Sequence, residues 1–300
     1  MNRFNMKLKH THYNGLTNLI TQVVNGEPAD CLRPSQLESK NGSAYFTGTA
    51  SMVDCLSIAQ NGWEEGRKMI DKYTKEYNTH WAKFFPQQDF GSDLKADVSG
   101  SIINIDAYIM GDPECMLDFS PNEDKPQEAK GQKLQRIIVN ACCNCHVKIE
   151  TIYQRGSLIA SLVNSMELSG YNIEVILVWQ VDHGGSQLRY TLTLKNFQDF
   201  LDVDKLAFAI AHPSMLRRFI FALIEQEPAE YAKPYVEGSY GYTSEITEAD
   251  IVSYGASYGG QLKHGNMYIK FIDNNYAEAE LINQTTQVVK DHFTEVTMNK

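Results

Sequence analysis

Apolar residues recur along this chain with different periods, and each change of period marks a new element. Residues 136–150 hold a dense β-type run around Ile137-Ile138-Val139 that leads into Asn140-Ala-Cys142-Cys143-Asn144. Tyr153 to Ser169 places Ile159, Leu162, Val163, Met166 and Leu168 at helical spacing, and Gly170 sits where a C-terminal helix glycine belongs. Ile173 to Trp179 is almost continuously apolar, which predicts a strand buried on both faces. After the turn Asp182-His-Gly-Gly185, Leu188 to Leu194 alternates strictly. Asp202-Val-Asp204 can cap a helix through Phe208, Ile210, Met215, Phe219 and Leu223, which Pro213 must interrupt. Strand, helix, strand in this order predicts a right-handed crossover with parallel pairing. The Gly-Gly turn predicts an antiparallel hairpin after it. Together they give an α/β fold: a mixed sheet with flanking helices on both faces.

The flanks read differently. Residues 1–44 are polar and turn-rich (Asn14-Gly15, Asn25-Gly26, Asn41-Gly42), as in an irregular arm. Thr49 or Ser51 can cap a helix through Met52, Cys55 and Ala59, and after Asn61-Gly62 a second helix runs from Trp63 toward Trp81, forming an αα-hairpin. Ser101 to Ile109 alternates as a strand would, and residues 119–133 are charged, proline-bearing and loop-like. Residues 228–276 hold eight of the sixteen tyrosines among many glycines, and a short helix and tail end the chain. The organisation is therefore an arm (1–44), an α/β core with its helical hairpin (45–227) and a Tyr/Gly-rich elaboration with a terminal helix (228–300).

Composition narrows the chemistry. A hydrophobic content of 43% is enough for one large core. A net charge of −10 argues against a general polyanion binder, though a local basic stripe stays compatible with it. The first ten residues are polar and basic, so no signal peptide is expected, and no apolar run is long enough for a membrane span. The six cysteines have no framework spacing and read as free thiols.

The order and spacing of residues 136–225 resemble a von Willebrand factor A-like core. Metal-binding members of that family carry Asp-x-Ser-x-Ser at the first strand end, where this chain has Asn140, Cys142 and Asn144. Without an anionic ligand there, the core reads as degenerate, with no metal and no cofactor. Cys142 and Cys145 have C-x-x-C spacing, but no second ligand pair completes a zinc site. Asp182-His183 is an acid–histidine pair without a nucleophile elbow, so catalysis is not expected.

Two features suggest binding. Arg217-Arg218 lie side by side on an otherwise apolar helix, so at least one should meet solvent, a phosphate or an acid such as Asp202, Asp204 or Glu225. Tyr235, Tyr240, Tyr242, Tyr254, Tyr258 and Tyr268 are interleaved with glycines near Lys263 and Lys270. Exposed rings of this kind stack nucleobases while cations follow the backbone. Tyrosines packed in a β-rich subdomain with their hydroxyls outward give the same composition.

The runs Tyr45-Phe-Thr-Gly-Thr49, Gly62-Trp-Glu-Glu-Gly66, Gly111-Asp-Pro-Glu-Cys-Met116, Arg155-Gly156 and Leu206 to Arg218 resemble a family of uncharacterised tailed-phage proteins, over residues 45–227. The chain is also similar to the Drc-type single-stranded-DNA-binding RNA polymerase cofactors of schitoviruses. That resemblance implies a non-catalytic protein in the cytoplasm of an infected bacterium, with single-stranded DNA and a phage RNA polymerase as partners. The alternative is an A-domain-like protein-interaction adaptor or assembly factor without nucleic-acid binding. An enzyme would need an acid or base with a perturbed pKa near Asp182-His183.

Overall fold

A computed structural model describes residues 7–85, 92–99, 102–103, 105–121, 133–199, 202–247, 249–251 and 265–298. Strand β1 (Lys7–Asn14) leads into helix α1 (Leu16–Asn25). The short helical turns Pro34–Gln36, α2 (Glu38–Asn41) and α3 (Ala44–Thr47) follow, then the hairpin α4 (Met52–Asn61) and α5 (Glu64–Trp81). A small antiparallel sheet holds β2 (Ser92–Asp97), β3 (Ile102–Ile103) and β4 (Met116–Pro121), with helix α6 (Ile105–Ile109) between the last two. The main unit continues with β5 (Lys133–Asn140), α7 (Ile149–Leu168), β6 (Tyr171–His183), β7 (Ser186–Lys195) and α8 (Val203–Ala211). A π-helical segment (Met215–Ile220), α9 (Phe221–Glu225), α10 (Ala229–Glu237), β8 (Tyr242–Thr243), β9 (Asn266–Ile269) and α11 (Glu278–Met298) complete it.

The main sheet has the order β1-β7-β6-β5-β9, with β8 joining β6 beyond the end of β5. Strands β5, β6 and β9 are mutually parallel, β7 is antiparallel to β6, and β1 is parallel to β7. This is the mixed α/β sheet that the apolar pattern predicts. Helix α7 makes the crossover between β5 and β6. The β6–β7 hairpin turns at Gly184 and Gly185, whose φ values of 54° and 88° suit the left-handed residues of a two-residue turn.

The two faces of the sheet differ. Ile137, Val139, Val175, Leu177, Trp179, Leu188, Tyr190 and Leu192 share one core with buried residues of α1, α5, α7 and α8. The alternate positions carry Arg136, Glu174, Gln180, Arg189 and Thr191, all buried, with only Ile138, Ile176 and Val178 as an apolar island under Ile246. Arg136 is ion-paired with Glu174, and Arg189 with Asp250 at 2.8 Å. Helices were expected on both faces. Among the described residues this second face meets the segment 244–251 and its single helical turn instead.

Other expectations change too. The polar arm contains an edge strand and an amphipathic helix, and α1 buries Leu16, Leu19, Ile20 and Val23 in the main core. Within the alternating run at Ser101 to Ile109, Ile102–Ile103 form β3 and Ile105–Ile109 form α6, while the loop-like stretch opens within β4 and its residues 122–132 lie outside the described residues. Pro213 does break its helix: His212 is extended (φ −84°, ψ 125°), as a residue before proline prefers, and the chain restarts as the π segment. The terminal helix is longer than the pattern suggests. Among the described residues no single helix is long and apolar enough to cross a membrane.

A candidate binding crevice at the strand carboxyl ends

The carboxyl ends of β5 and β6 open into a crevice of about 490 Å³. In open α/β sheets ligands bind outside these ends. Its floor is the loop Cys143–His146 after β5 and the end of β6 at Val181 and His183. One wall comes from the π segment and its neighbours, with Leu216, Arg217, Phe221 and Phe46. The other wall is Gly238 to Thr243, brought alongside by the pairing of Val181 with Thr243 and of Asp182 with Tyr242. Among the described residues no aspartate or glutamate lines it.

Both walls use uncommon backbone. Ser239, Tyr240 and Gly241 have φ values of 57°, 65° and 80°, and for the two non-glycines the strain is of order 1–3 kcal/mol each. Three contacts hold the turn. The Tyr240 N–H donates to Tyr235 O at 2.7 Å, its hydroxyl donates to Glu225 Oε1 at 2.6 Å, and its ring stacks on Phe221 at 4.1 Å. Burial raises the pKa of Glu225, which also accepts the Ser39 N–H at 2.9 Å. The facing wall is π-helical, a geometry found often at functional sites. Ser214 N–H just before it donates to Nδ1 of His212, and burial lowers that ring to about 4, so it stays neutral.

Arg217 carries the crevice's charge. Only 2% exposed, it lies over the Phe46 ring at 4.2 Å. It donates to Phe46 O and Val147 O at 2.8 and 2.9 Å, with longer contacts to Asn144 O, Cys145 O and Cys143 Sγ. Arg218 behind it is fully buried and donates to Ser39 O, Gly42 O, Thr49 O and Thr49 Oγ1. Among the described residues neither guanidinium pairs with a carboxylate. The sequence-based expectation for them is therefore corrected: neither faces solvent, and neither meets Asp202, Asp204 or Glu225.

The tyrosines divide. Tyr235 lies in the core, where its hydroxyl donates to Ser186 O at 2.9 Å. Tyr240 is buried in the wall. Neither ring is offered to a stacking base, because helix α10 and the Glu225 contact turn both inward. Tyr268 is half-buried; its hydroxyl donates to Glu245 and accepts from Asn140 Nδ2 at 3.1 Å. Tyr242, at the crevice rim, is 78% exposed, and Lys270 is exposed beyond β9. Tyr254, Tyr258 and Lys263 lie outside the described residues. The crevice thus brings Tyr242 and Arg217 together with Tyr240, and leaves Lys270 and Tyr268 elsewhere.

The side chains that could have held a metal are engaged. Asn140 donates to Ser244 O and accepts from Cys142 N–H, while Asn144 accepts from Thr243 Oγ1 at 2.8 Å and donates to Asp273 O. Among the described residues no group of three metal-binding side chains forms. Burial raises the thiol pKa of Cys142 and Cys143.

The sequence did not point to Phe46 or Phe221, and His146 drew notice only as the histidine beside the Cys142–Cys145 pair. His183 stood out only as half of an acid–histidine pair. Its ring packs beside Tyr235, and its Nδ1 is buried without a hydrogen-bond partner. The signal available was position, since each follows or faces the carboxyl end of a strand.

A family model described as a domain of unknown function (DUF7192) matches residues 5–299. No curated protein and no solved structure matches the chain.

Proposed function

The chain belongs to the DUF7192 family, and on that premise we propose that it is a non-catalytic protein that binds single-stranded DNA in the crevice. The observation that carries this reading is electrostatic. In a chain of net charge −10, the crevice is lined by aromatic rings, two histidines and a buried arginine, with no acid among the described residues. Aromatic faces accept any base, and a cation without a carboxylate partner favours the phosphate beside it. Tyr242 would stack the base at the rim, with Phe46 and Arg217 deeper in. On the resemblance to the schitovirus cofactors, the strand is melted promoter DNA and the protein partner a phage RNA polymerase.

Fluorescence anisotropy with a labelled single strand tests the site. Tyr242→Ala is expected to weaken binding by about 1–3 kcal/mol, the worth of one stacked base. Unchanged affinity would remove the crevice from the account.

The adaptor reading has its own observation. Tyr108, Ile109 and Met110 form an apolar tip, each at least 67% exposed, with exposed Asp112 and Glu114 just beyond. If it is a docking element, Ile109→Asp abolishes polymerase binding, and on this reading neither the native protein nor the variant shows salt-dependent DNA affinity. Polymerase binding that survives the change counts against the tip.

A further inference from the structure

A second cavity, of about 680 Å³, lies between the β9 strand with its extension to Asp273 and helix α11. Its size is that of a small-molecule site. Arg155, from the first half of α7, reaches into its lining. The side chain is 6% exposed, and Nη2 donates to Asn140 O at 2.9 Å and to Lys270 O. Among the described residues Nε and Nη1 have no hydrogen-bond partner and no carboxylate pairs with the guanidinium. Burial holds the group down to about 10. A buried cation normally has an anion beside it, because leaving water otherwise goes uncompensated.

The three acids of the lining are engaged elsewhere. Glu245 accepts from the Tyr268 hydroxyl, Asp273 from the Tyr276 hydroxyl, and Asp291 from Gln287 Nε2 at 2.6 Å. They still repel a ligand of high negative charge, and Lys270 offsets one of them. Ile269, Leu281 and Val288 supply an apolar surface on both sides. We propose that this cavity binds a small monocarboxylate with an apolar body, its carboxylate on Nε and Nη1 of Arg155. One negative charge satisfies the guanidinium without adding to the repulsion, and the aliphatic or aromatic body fills the apolar walls.

Calorimetric titration of the intact protein with octanoate tests this, with inorganic phosphate as the second ligand. Octanoate is expected to bind the native protein, and at least tenfold more weakly after Arg155→Met. Phosphate is expected to bind at least tenfold more weakly than octanoate. Gln284→Trp fills the cavity from an exposed position and is expected to block octanoate without disturbing Arg155. It decides the matter should Arg155→Met fail to fold. No octanoate binding, or equal binding to the native and substituted proteins, overturns the proposal. Tighter binding of phosphate overturns the choice of ligand class.

Discussion

On the polar face of the sheet Arg136 and Arg189 each lie against a carboxylate, Glu174 and Asp250. Around the carboxyl ends of the strands, Arg155, Arg217 and Arg218 are also buried, but among the described residues they donate to carbonyls, a hydroxyl and a thiol and to no carboxylate. Both sets of guanidinium groups donate hydrogen bonds, although among the described residues Nε and Nη1 of Arg155 find no partner. The charge is neutralised in only one. Carbonyl dipoles hold a guanidinium in position without cancelling its charge, so the first region is closed on itself and the second can still take up an anion. Burying ion pairs gives the sheet a specific arrangement; burying Arg217 in a crevice with no acid among its described lining residues suits ligand binding.

The largest effects should come from the arginines themselves. Glu174→Gln strands a buried charge and should cost about 3–5 kcal/mol in urea denaturation, whereas Arg136→Met with Glu174→Leu should recover most of that loss. Arg218→Met should cost about 3 kcal/mol, because it leaves Ser39 O and Gly42 O without their guanidinium donor and Thr49 O with the Thr47 hydroxyl alone. No acid substitution can rescue it, as no acid is its partner. A cost below about 1 kcal/mol would contradict the distinction.

His212 gives the next effect. Its folded pKa, about 4, lies below its ordinary 6.5, so the folded state prefers the neutral ring. Stability is therefore full above pH 6.5 and falls as pH drops toward 4, by on the order of 3 kcal/mol. Denaturation midpoints across this range should lose that slope in His212→Gln.

Smaller changes concern the crevice wall. A Cβ at Gly238 would stand 2.1 Å from Cε1 of His183, so Gly238→Ala should cost about 1–3 kcal/mol and shift the Tyr240 turn. Tyr242→Ala, by contrast, should change stability by less than about 0.5 kcal/mol, since the ring packs on little. On the proposed function its effect is on DNA affinity.

The core from β5 to β7 could be read from the sequence because each element carries its own period and its own punctuation. Gly170 follows α7, the Gly184–Gly185 turn closes the hairpin, and Ile173 to Trp179 is apolar on both sides. The N-terminal segment was missed for a physical reason. As an edge strand, β1 needs few apolar residues, and Asn-Gly pairs mask the α1 spacing of Leu16, Leu19, Ile20 and Val23. The candidate site residues were harder still. That Arg217 and Arg218 are both buried depends on carbonyls from residues 39–49 and 144–147, segments far away in the chain. Tyr235 and Tyr242 look alike in composition, yet α10 buries one and the β8 pairing exposes the other. Composition registers how many rings a segment has and not which way they point.

The central claim is that charge left unneutralised behind an aromatic crevice selects single-stranded DNA. Anisotropy titrations of the intact protein with labelled single-stranded and double-stranded oligonucleotides, at two salt concentrations, test it most directly. The account predicts tighter binding of the single strand, weakening as salt rises because phosphate contacts release counterions. Equal affinity for both forms, or no binding of either at low salt, would contradict it.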